Sequence, residues 1–262
     1  MRILMIGDVV AAPGRRVLAH WVPRLRDELQ IDLVVANVEN SAGGVGITSA
    51  VAEQILASGV DVMTGGNHIW DKAEGIVFIQ ESRAMVRPLN HPAGTPGRGV
   101  GVYRVGGHSV AVINALGRIF MNPIDCPFRA LDEQLAQLDP DIKVILVDFH
   151  AEATAEKIAM GWYLDGRVSV MAGTHTHVQT ADERILPQGT AYVTDLGMTG
   201  PHDGVIGVRK ELAIRRMTSG LPVRFQPAEE DAQLHGIWCE IDPATGRALR
   251  IERVQRLEEA SR

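Results

Sequence analysis

The sequence Val144-Ile-Leu-Val-Asp-Phe-His150 is the most hydrophobic strand pattern in the chain. A helical pattern follows over 154–163, and another apolar run over 168–172 predicts a second strand. A strand, a helix and a strand in this order are typical of an α/β sheet with parallel neighbours. The first strand ends on Asp148 and His150, so polar groups stand where it leaves the sheet.

The same alternation of apolar runs and helical patterns occurs on both sides of this unit. Further strands are predicted at 3–6, 33–38, 60–63 and 191–194. Helical patterns cover 14–30, 48–57 and 128–138. A hairpin is predicted at 101–114, and two strands around a turn at 236–254. No linker or repeat interrupts the chain, so we expect one domain over residues 1–262, with a largely parallel sheet covered by helices.

Charge argues against several classes of partner. The chain holds 26 Lys and Arg residues against 32 Asp and Glu residues, a formal net charge of −6. An acidic chain without a basic run argues against duplex DNA or an anionic membrane as the main partner. Its apolar runs are far shorter than the ~20 residues that span a bilayer. We therefore expect a small-molecule partner, and a homo-oligomer is compatible with the sequence.

The N-terminus and the cysteines indicate the compartment. Asp8 interrupts the apolar run that a signal peptide would need. The two cysteines are Cys126 and Cys239, and neither stands in a metal-type spacing. Unpaired thiols of this kind are typical of a reducing environment. We therefore expect a cytoplasmic protein.

Polar side chains follow five of the predicted strands, just beyond their carboxyl ends. They are Asp8, Glu39, Asn40, Asn67, His68, Asp148, His150, His175 and His177. In open α/β sheets, ligands bind outside the carboxyl ends of the strands. Each residue alone also has a structural interpretation: Asp8 could cap a helix, and His150 could be a hydrogen-bonded core histidine. Their shared position predicts one functional site.

The residue types in this set favour a metal site. If the strand continues through His175 and His177, alternation places both imidazoles on one side. Histidines, carboxylates and asparagine amides without cysteine suit iron, manganese or zinc, and not a structural thiolate zinc site. The set exceeds what one ion needs. It therefore predicts two cations about 3.5–4 Å apart, the arrangement used to displace phosphate esters.

Short motifs follow one another in a characteristic order. They are Gly7-Asp8, Glu39, Gly66-Asn67-His68, His150 and Gly173-Thr-His175-Thr-His177. This order resembles the calcineurin-like metallophosphoesterases, with two departures: Val10 stands where that family has a histidine, and Glu39 where it has an aspartate. These departures resemble the YmdB-like branch of the superfamily. So do three longer motifs, at 36–44, at 65–72 and at 195–201, and the resemblance covers most of the chain.

The resemblance implies a four-layer αββα sandwich of two mixed β-sheets flanked by helices. It also implies a bacterial di-iron phosphodiesterase that converts 2′,3′-cyclic nucleotides to 3′-nucleotides. One metal would then be held by Asp8, Glu39, Asn40 and His177. Glu39 would bridge to a second metal, which is held by Asn67, His150 and His175. His68, beside these ligands, would be the proton donor.

This interpretation predicts a mechanism. Water between two metal ions has a lowered pKa, so a bridging hydroxide would attack phosphorus. An imidazole titrates near neutral pH, so His68 could protonate the leaving ribose oxygen, a contribution of ~10²–10⁴ in rate. His202 is a candidate substrate contact at the rim, with plain loop structure as the alternative. The glycines at 43–46 lack P-loop spacing and predict a rim loop.

Other functions stay open on the sequence alone. They are a metal-dependent phosphomonoesterase, a phosphodiesterase acting on RNA ends, and a regulatory protein that binds a nucleotide without turnover. A serine hydrolase is disfavoured because valine occupies position 9, where the nucleophile of a Gly-Asp-Ser motif would stand. Iron follows from the resemblance, and manganese or zinc would fit the same donor types.

Overall fold

The strands of the computed structural model, which describes residues 1–258, form two sheets. The first sheet contains β1 (Arg2–Ile6), β2 (Asp8–Val9), β3 (Leu33–Asn37), β4 (Val62–Thr64), β5 (Met85–Val86), β12 (Met198–Pro201), β13 (Ala232–Ile241) and β14 (Ala248–Leu257). The second contains β6 (Val100–Val105), β7 (His108–Leu116), β8 (Val144–His150), β9 (Val170–Thr174), β10 (Arg184–Ile185) and β11 (Ala191–Val193). The helices are α1 (Ala11–Leu29), α2 (Ser49–Ala57), α3 (Ile76–Glu81), α4 (Pro127–Gln137), α5 (Thr154–Leu164) and α6 (Lys210–Ser219).

Both sheets are mixed. In the first, β1, β3, β4 and β5 are parallel neighbours, and β13 runs antiparallel between β1 and β14. In the second, β7, β8, β9 and β11 are parallel, while β6 and β10 are antiparallel edges. The expectation of one largely parallel sheet was therefore wrong, because a buried apolar run predicts a strand without specifying the strands that it pairs with.

Three apolar layers hold four layers of secondary structure together. Between the sheets, side chains of β1 and β3 pack against those of β7, β8 and β9. The other face of the first sheet packs on α1 and α2, and the other face of the second sheet packs on α4 and α5. All seven residues of β8 are buried, because one face meets the first sheet and the other meets helices. The αββα sandwich implied by the resemblance is confirmed.

Most predicted elements are present, with small changes at their ends. Thr48 caps α2 by accepting a hydrogen bond from the Val51 N–H at 3.3 Å. Thr154 does not cap α5: it is the first helical residue, and Ala153 occupies the cap position without a side-chain bond. Among residues 1–258, none of the helices combines the length and apolar character that membrane crossing requires.

Candidate metal centre

The carboxyl ends of strands from both sheets meet at one edge of the sandwich. Asn37, the last residue of β3, donates from Nδ2 to Asp148 Oδ2 of β8 at 2.9 Å, which joins the two sheets directly. In the second sheet, His150 pairs with Leu116 on one side and with Thr174 on the other. The loops that follow these strands therefore converge, as their sequence positions predicted.

Three ligand-type side chains converge on a ring nitrogen of a fourth, His150. Glu39 Oε1, Asn67 Oδ1 and His175 Nδ1 each lie 3.0 Å from His150 Nε2. Ligand atoms of Glu39, His150 and His175 all lie within 4.8 Å of one another. His150 and Glu39 are buried, and Asn67 and His175 are half-buried. This geometry could hold a metal ion.

The electrostatics of this group favour a positive charge at its centre. Burial raises the pKa of Glu39, but the charge and hydrogen bond of His150 outweigh it and bring the pKa to about 2. Burial lowers the pKa of His150, but the carboxylate of Glu39 outweighs it and brings the pKa to about 9. Burial and the nearby His150 lower the pKa of His175 to about 3. His150 Nε2 and His175 Nδ1 face each other beside the Glu39 carboxylate. A metal cation between them would accept a lone pair from each of the three groups.

A second group of side chains lies beside the first. His177 Nε2 is 3.2 Å from Asn40 Nδ2, which in turn is 3.3 Å from Glu39 Oε1. Rotating the Asn40 amide by half a turn presents its oxygen to the same atoms. His177 Nε2 is also 3.8 Å from Asp8 Oδ1. Glu39 therefore stands between the two groups.

Asp8 carries the clearest sign of a missing partner. Its side chain is fully buried, and Oδ1 has no hydrogen-bond partner among residues 1–258. Oδ2 accepts the backbone N–H of His175 at 3.0 Å. Burial raises the pKa of this carboxyl, against the charges of His177 and His150. A buried carboxylate oxygen without a partner is costly, and a metal ion would supply that partner, so the residues present fit a metal centre.

A glycine makes this close approach between the ligand-type side chains and the backbone feasible. A Cβ atom at Gly66 would overlap Glu39 Oε2 and His150 Nε2. No other residue type therefore fits at position 66 without displacing two side chains of the cluster. Gly66, the residue before Asn67, thus has a steric role at the site.

His68 lies at the open side of the cluster. Its backbone N–H donates to Glu39 Oε2 at 2.8 Å, and its side chain is 41% exposed. Nδ1 lies 2.7 Å from Asp71 Oδ2. The carboxylate accepts the Nδ1 proton, which leaves Nε2 on the outer side of the ring.

A buried chain of hydrogen bonds through Thr174 and Asp148, here called the relay, contacts the Nδ1 side of the His150 ring. His150 Nδ1 lies 2.9 Å from Thr174 Oγ1, and this hydroxyl donates to Asp148 Oδ1 at 2.6 Å. Burial raises the pKa of Asp148 to about 6, although His150 and three hydrogen-bond donors oppose the shift. The relay holds the Nδ1 proton of His150 and directs Nε2 into the cluster.

The two histidines of the last motif do not lie on a strand, as alternation had suggested. β9 ends at Thr174, and His175 and His177 both adopt positive φ angles, 96° and 64°. Their imidazoles converge because the chain turns sharply between them. Alternation along a strand was therefore the wrong reason for placing the two histidines at one edge.

His202 lies to one side of the site. Its Nε2 is 3.2 Å from the Met198 carbonyl oxygen, and its ring packs against His235 with centroids 4.5 Å apart. The same loop reaches the site through Ile206, whose carbonyl oxygen is 3.0 Å from His177 Nδ1. The structure thus brings the eight residues proposed as ligands and acid to one edge, with His202 on the neighbouring loop.

Several contacts that act on the site were not identified from the sequence. Asp71 could have been found, because it follows His68 by three residues in a short loop. Thr174 directly precedes His175, and its link to Asp148 joins two different strands. Glu152 lies 3.1 Å from His175 Nε2, a contact between distant positions that no local pattern reveals.

Comparison with known proteins agrees with this geometry. The family model described as YmdB-like protein matches residues 4–254. A Bacillus subtilis (strain 168) protein named 2′,3′-cyclic-nucleotide 2′-phosphodiesterase is 49% identical over 254 residues, which cover 97% of this chain and 96% of that protein.

Two solved structures share the fold over almost their full length. A protein from Thermus thermophilus superposes with a TM-score of 0.94 at 44% identity, covering 99% of this chain and 100% of that one. A phosphatase from Mycoplasma pneumoniae superposes with a TM-score of 0.93 at 33% identity, covering 98% and 93%. The match of the family model over residues 4–254, together with the 49% identical relative, establishes that this protein belongs to the YmdB-like family.

Proposed function

We propose that this chain is a metal-dependent phosphodiesterase that hydrolyses 2′,3′-cyclic nucleotides to 3′-nucleotides. The observation that carries the proposal is the convergence of Glu39, Asn67 and His175 on His150 Nε2, each at 3.0 Å. Carboxylate, amide and imidazole donors in one cluster are typical of metal-assisted phosphate ester hydrolysis. The 49% identical relative is named for this reaction.

We assign the donors to two metal ions. One would be held by Asp8, Glu39, Asn40 and His177, and the other by Glu39, Asn67, His150 and His175. The unpartnered Oδ1 of Asp8 supports the first set, and the facing nitrogens of His150 and His175 support the second. Glu39 belongs to both sets because Oε1 faces His150 on one side and Asn40 on the other. Iron is the proposed metal, and manganese or zinc suit the same donors.

When bound, the two ions would supply Lewis acidity and a water molecule of lowered pKa. The chain determines where a phosphate group can enter. Side-chain exposure rises from 0% at His150 to 21% at His175 and 41% at His68. The buried side carries the acidic ligands, and the open side carries His68. A substrate phosphate therefore enters beside His68.

His68 is the proposed proton donor. Asp71 accepts the Nδ1 proton, so Nε2 can carry a second proton to the leaving oxygen. As the oxygen of a water molecule bonds to phosphorus, the bond to the ribose 2′ oxygen breaks, and that oxygen takes this proton and leaves as the 2′ hydroxyl. The phosphate then remains on the 3′ oxygen. His202 is proposed as a rim contact for the substrate, on the loop that also positions His177.

Turnover of 2′,3′-cyclic AMP with the product isomers resolved tests the proposal. We expect chelator-sensitive formation of 3′-AMP alone, restored when iron or manganese is added back. His68→Ala, assayed at the same metal content, should be nearly inactive. Formation of 2′-AMP would contradict the assigned leaving group. Tight nucleotide binding without turnover in the metal-loaded protein would indicate a regulatory protein instead of an enzyme.

A further inference from the structure

A buried ion pair lies behind the candidate metal centre, outside the proposed ligand set. Lys157 Nζ of α5 is 2.6 Å from Asp195 Oδ2, and each side chain is 1% exposed. Removing both charges from water is costly unless further hydrogen bonds compensate. The other hydrogen-bond partners of Asp195 therefore indicate the structural role of the ion pair.

Asp195 is bound to the middle of the histidine turn, which we define as residues 175–177. Its Oδ2 accepts the Thr176 N–H at 3.2 Å and the Thr176 hydroxyl at 2.6 Å. Its Oδ1 accepts the Gly197 N–H at 2.7 Å, which fixes the carboxylate in the loop after β11. Asp195 thus ties the residue between the two histidines to the rigid frame of the second sheet.

The histidine turn needs such support, because its backbone is unfavourable. His175 and His177 have φ angles of 96° and 64°, a region that residues with a Cβ rarely adopt. A backbone with positive φ angles persists when contacts with surrounding residues stabilise it. Asp8 holds the N–H of His175, Ile206 holds the His177 ring, and Asp195 holds Thr176 between them.

Lys157 supplies the positive charge that compensates the buried carboxylate of Asp195. Without a cation beside it, the buried carboxylate of Asp195 would be an uncompensated charge. Lys157 Nζ neutralises Asp195 and also lies 3.4 Å from the Thr176 hydroxyl. A Cβ at Gly173 would overlap the Thr194 carbonyl oxygen and would lie 3.0 Å from Lys157 Cδ, so glycine is required first by the neighbouring backbone and also leaves room for the lysine stem.

We propose that Lys157 and Asp195 are positioning residues that hold the histidine turn in its ligand-bearing conformation. The inference rests on the proposed two-metal site for its functional meaning. The structural claim concerns the turn itself, so it can be tested in the protein without metal. The pair contacts no ligand atom within the described residues 1–258, and its effect passes through Thr176.

Amide hydrogen exchange of the metal-free protein is the first readout. Two variants are compared with the wild type: Asp195→Asn removes the charge, and Thr176→Val removes the hydroxyl while leaving the ion pair intact. Exchange within 174–178 should become at least about tenfold faster in Asp195→Asn, whereas β8 exchanges as before. Asp132→Asn is the matched control, because it breaks an exposed ion pair of the same length, 2.6 Å, to Arg167.

Metal titration is the second readout. Asp195→Asn should bind metal about 10–100-fold more weakly, and Thr176→Val should be affected in the same direction but less. Unchanged exchange within 174–178 in both variants would overturn the inference. So would a uniform rise in exchange over the whole chain, which indicates general destabilisation. If the wild type binds no metal, the proposed function fails, and the exchange result still decides the role of the pair.

Discussion

His68 and Asp71 are joined through Nδ1 and Oδ2 at 2.7 Å, within the loop that follows β4. The contact fixes which ring nitrogen faces the open side of the site. It also couples an exposed imidazole to a carboxylate that takes no part in the proposed metal set. The roles of the two residues can therefore be separated from metal binding.

His68→Ala should keep both metals and lose most of its turnover. Removing a general acid costs ~10²–10⁴ in kcat, and the side chain contributes no atom to either ligand set. Steady-state kinetics with metal content measured on the same sample checks this. His108→Ala is the control, since this exposed histidine begins β7 at the end opposite the site. A variant that turns over at the wild-type rate would exclude His68 as the acid.

Asp71→Asn should reduce kcat on the order of 10-fold, less than His68→Ala, because the amide still contacts Nδ1 but carries no charge. The double variant His68→Ala/Asp71→Asn should be no slower than His68→Ala alone, because Asp71 acts through the ring. Asp27→Asn, on the exposed face of α1, is the control. Additive losses in the double variant would mean that Asp71 acts independently.

Glu39→Ala should lose metal from both sites, because Glu39 belongs to both ligand sets. Metal content measured by mass spectrometry after gel filtration checks this. Glu53→Ala, at an exposed position of α2, should keep the wild-type content. Two ions per chain in purified Glu39→Ala would contradict the shared carboxylate.

Thr174→Val should weaken metal binding by about 10–100-fold with little change in fold, because the relay from Asp148 to His150 Nδ1 is broken. Competition with a chelating dye measures the affinity. Thr190→Val is a matched control: Thr190 is also buried, and its hydroxyl donates to the Val168 carbonyl at 2.7 Å. Equal affinity in the two variants would argue against the relay.

Stability of the metal-free protein should fall as the pH decreases from about 6.5 to about 4 through His235. Burial, with the neighbouring His202, lowers the pKa of His235 to about 4. Between those pH values the unfolded chain takes up a proton that the folded chain refuses, so the free energy of unfolding decreases as the pH falls.

Urea unfolding of wild type and His235→Gln at several pH values isolates this effect. Other titrating groups, His175 among them, are common to both proteins and cancel in the difference. The wild type should lose more stability than the variant over that range. Parallel curves would show that His235 does not titrate as its environment implies.

The strands and the position of the site were predictable because both depend on local patterns. Apolar runs such as 144–150 specify strands, and polar residues after several strand ends must meet at one edge. The assignment to two sheets was not predictable from these runs, because an apolar run does not specify the strands that it pairs with. It came from the resemblance. The single-domain organisation over 1–262 stays a prediction.

Contacts between distant positions account for what the sequence did not reveal. Lys157 and Asp195 are 38 positions apart, and although Asp195 begins the motif at 195–201, nothing in that motif identifies Lys157 as its partner. The positive φ angles of His175 and His177 also lack a signal, since glycine and asparagine usually mark such backbone and histidine does so less often. The contact of Asp71 was predictable, because a spacing of three residues from His68 suits a contact within a short loop.

The hydrogen bond from Asn37 to Asp148 joins the two sheets directly beneath the ligand-type side chains. The donors themselves come from both sides of that junction, Glu39 and Asn67 following strands of one sheet and His150 and His175 belonging to the other. Neither half of the sandwich can assemble the centre alone. A cation bound there would link the two sheets, and its binding free energy would stabilise the folded state.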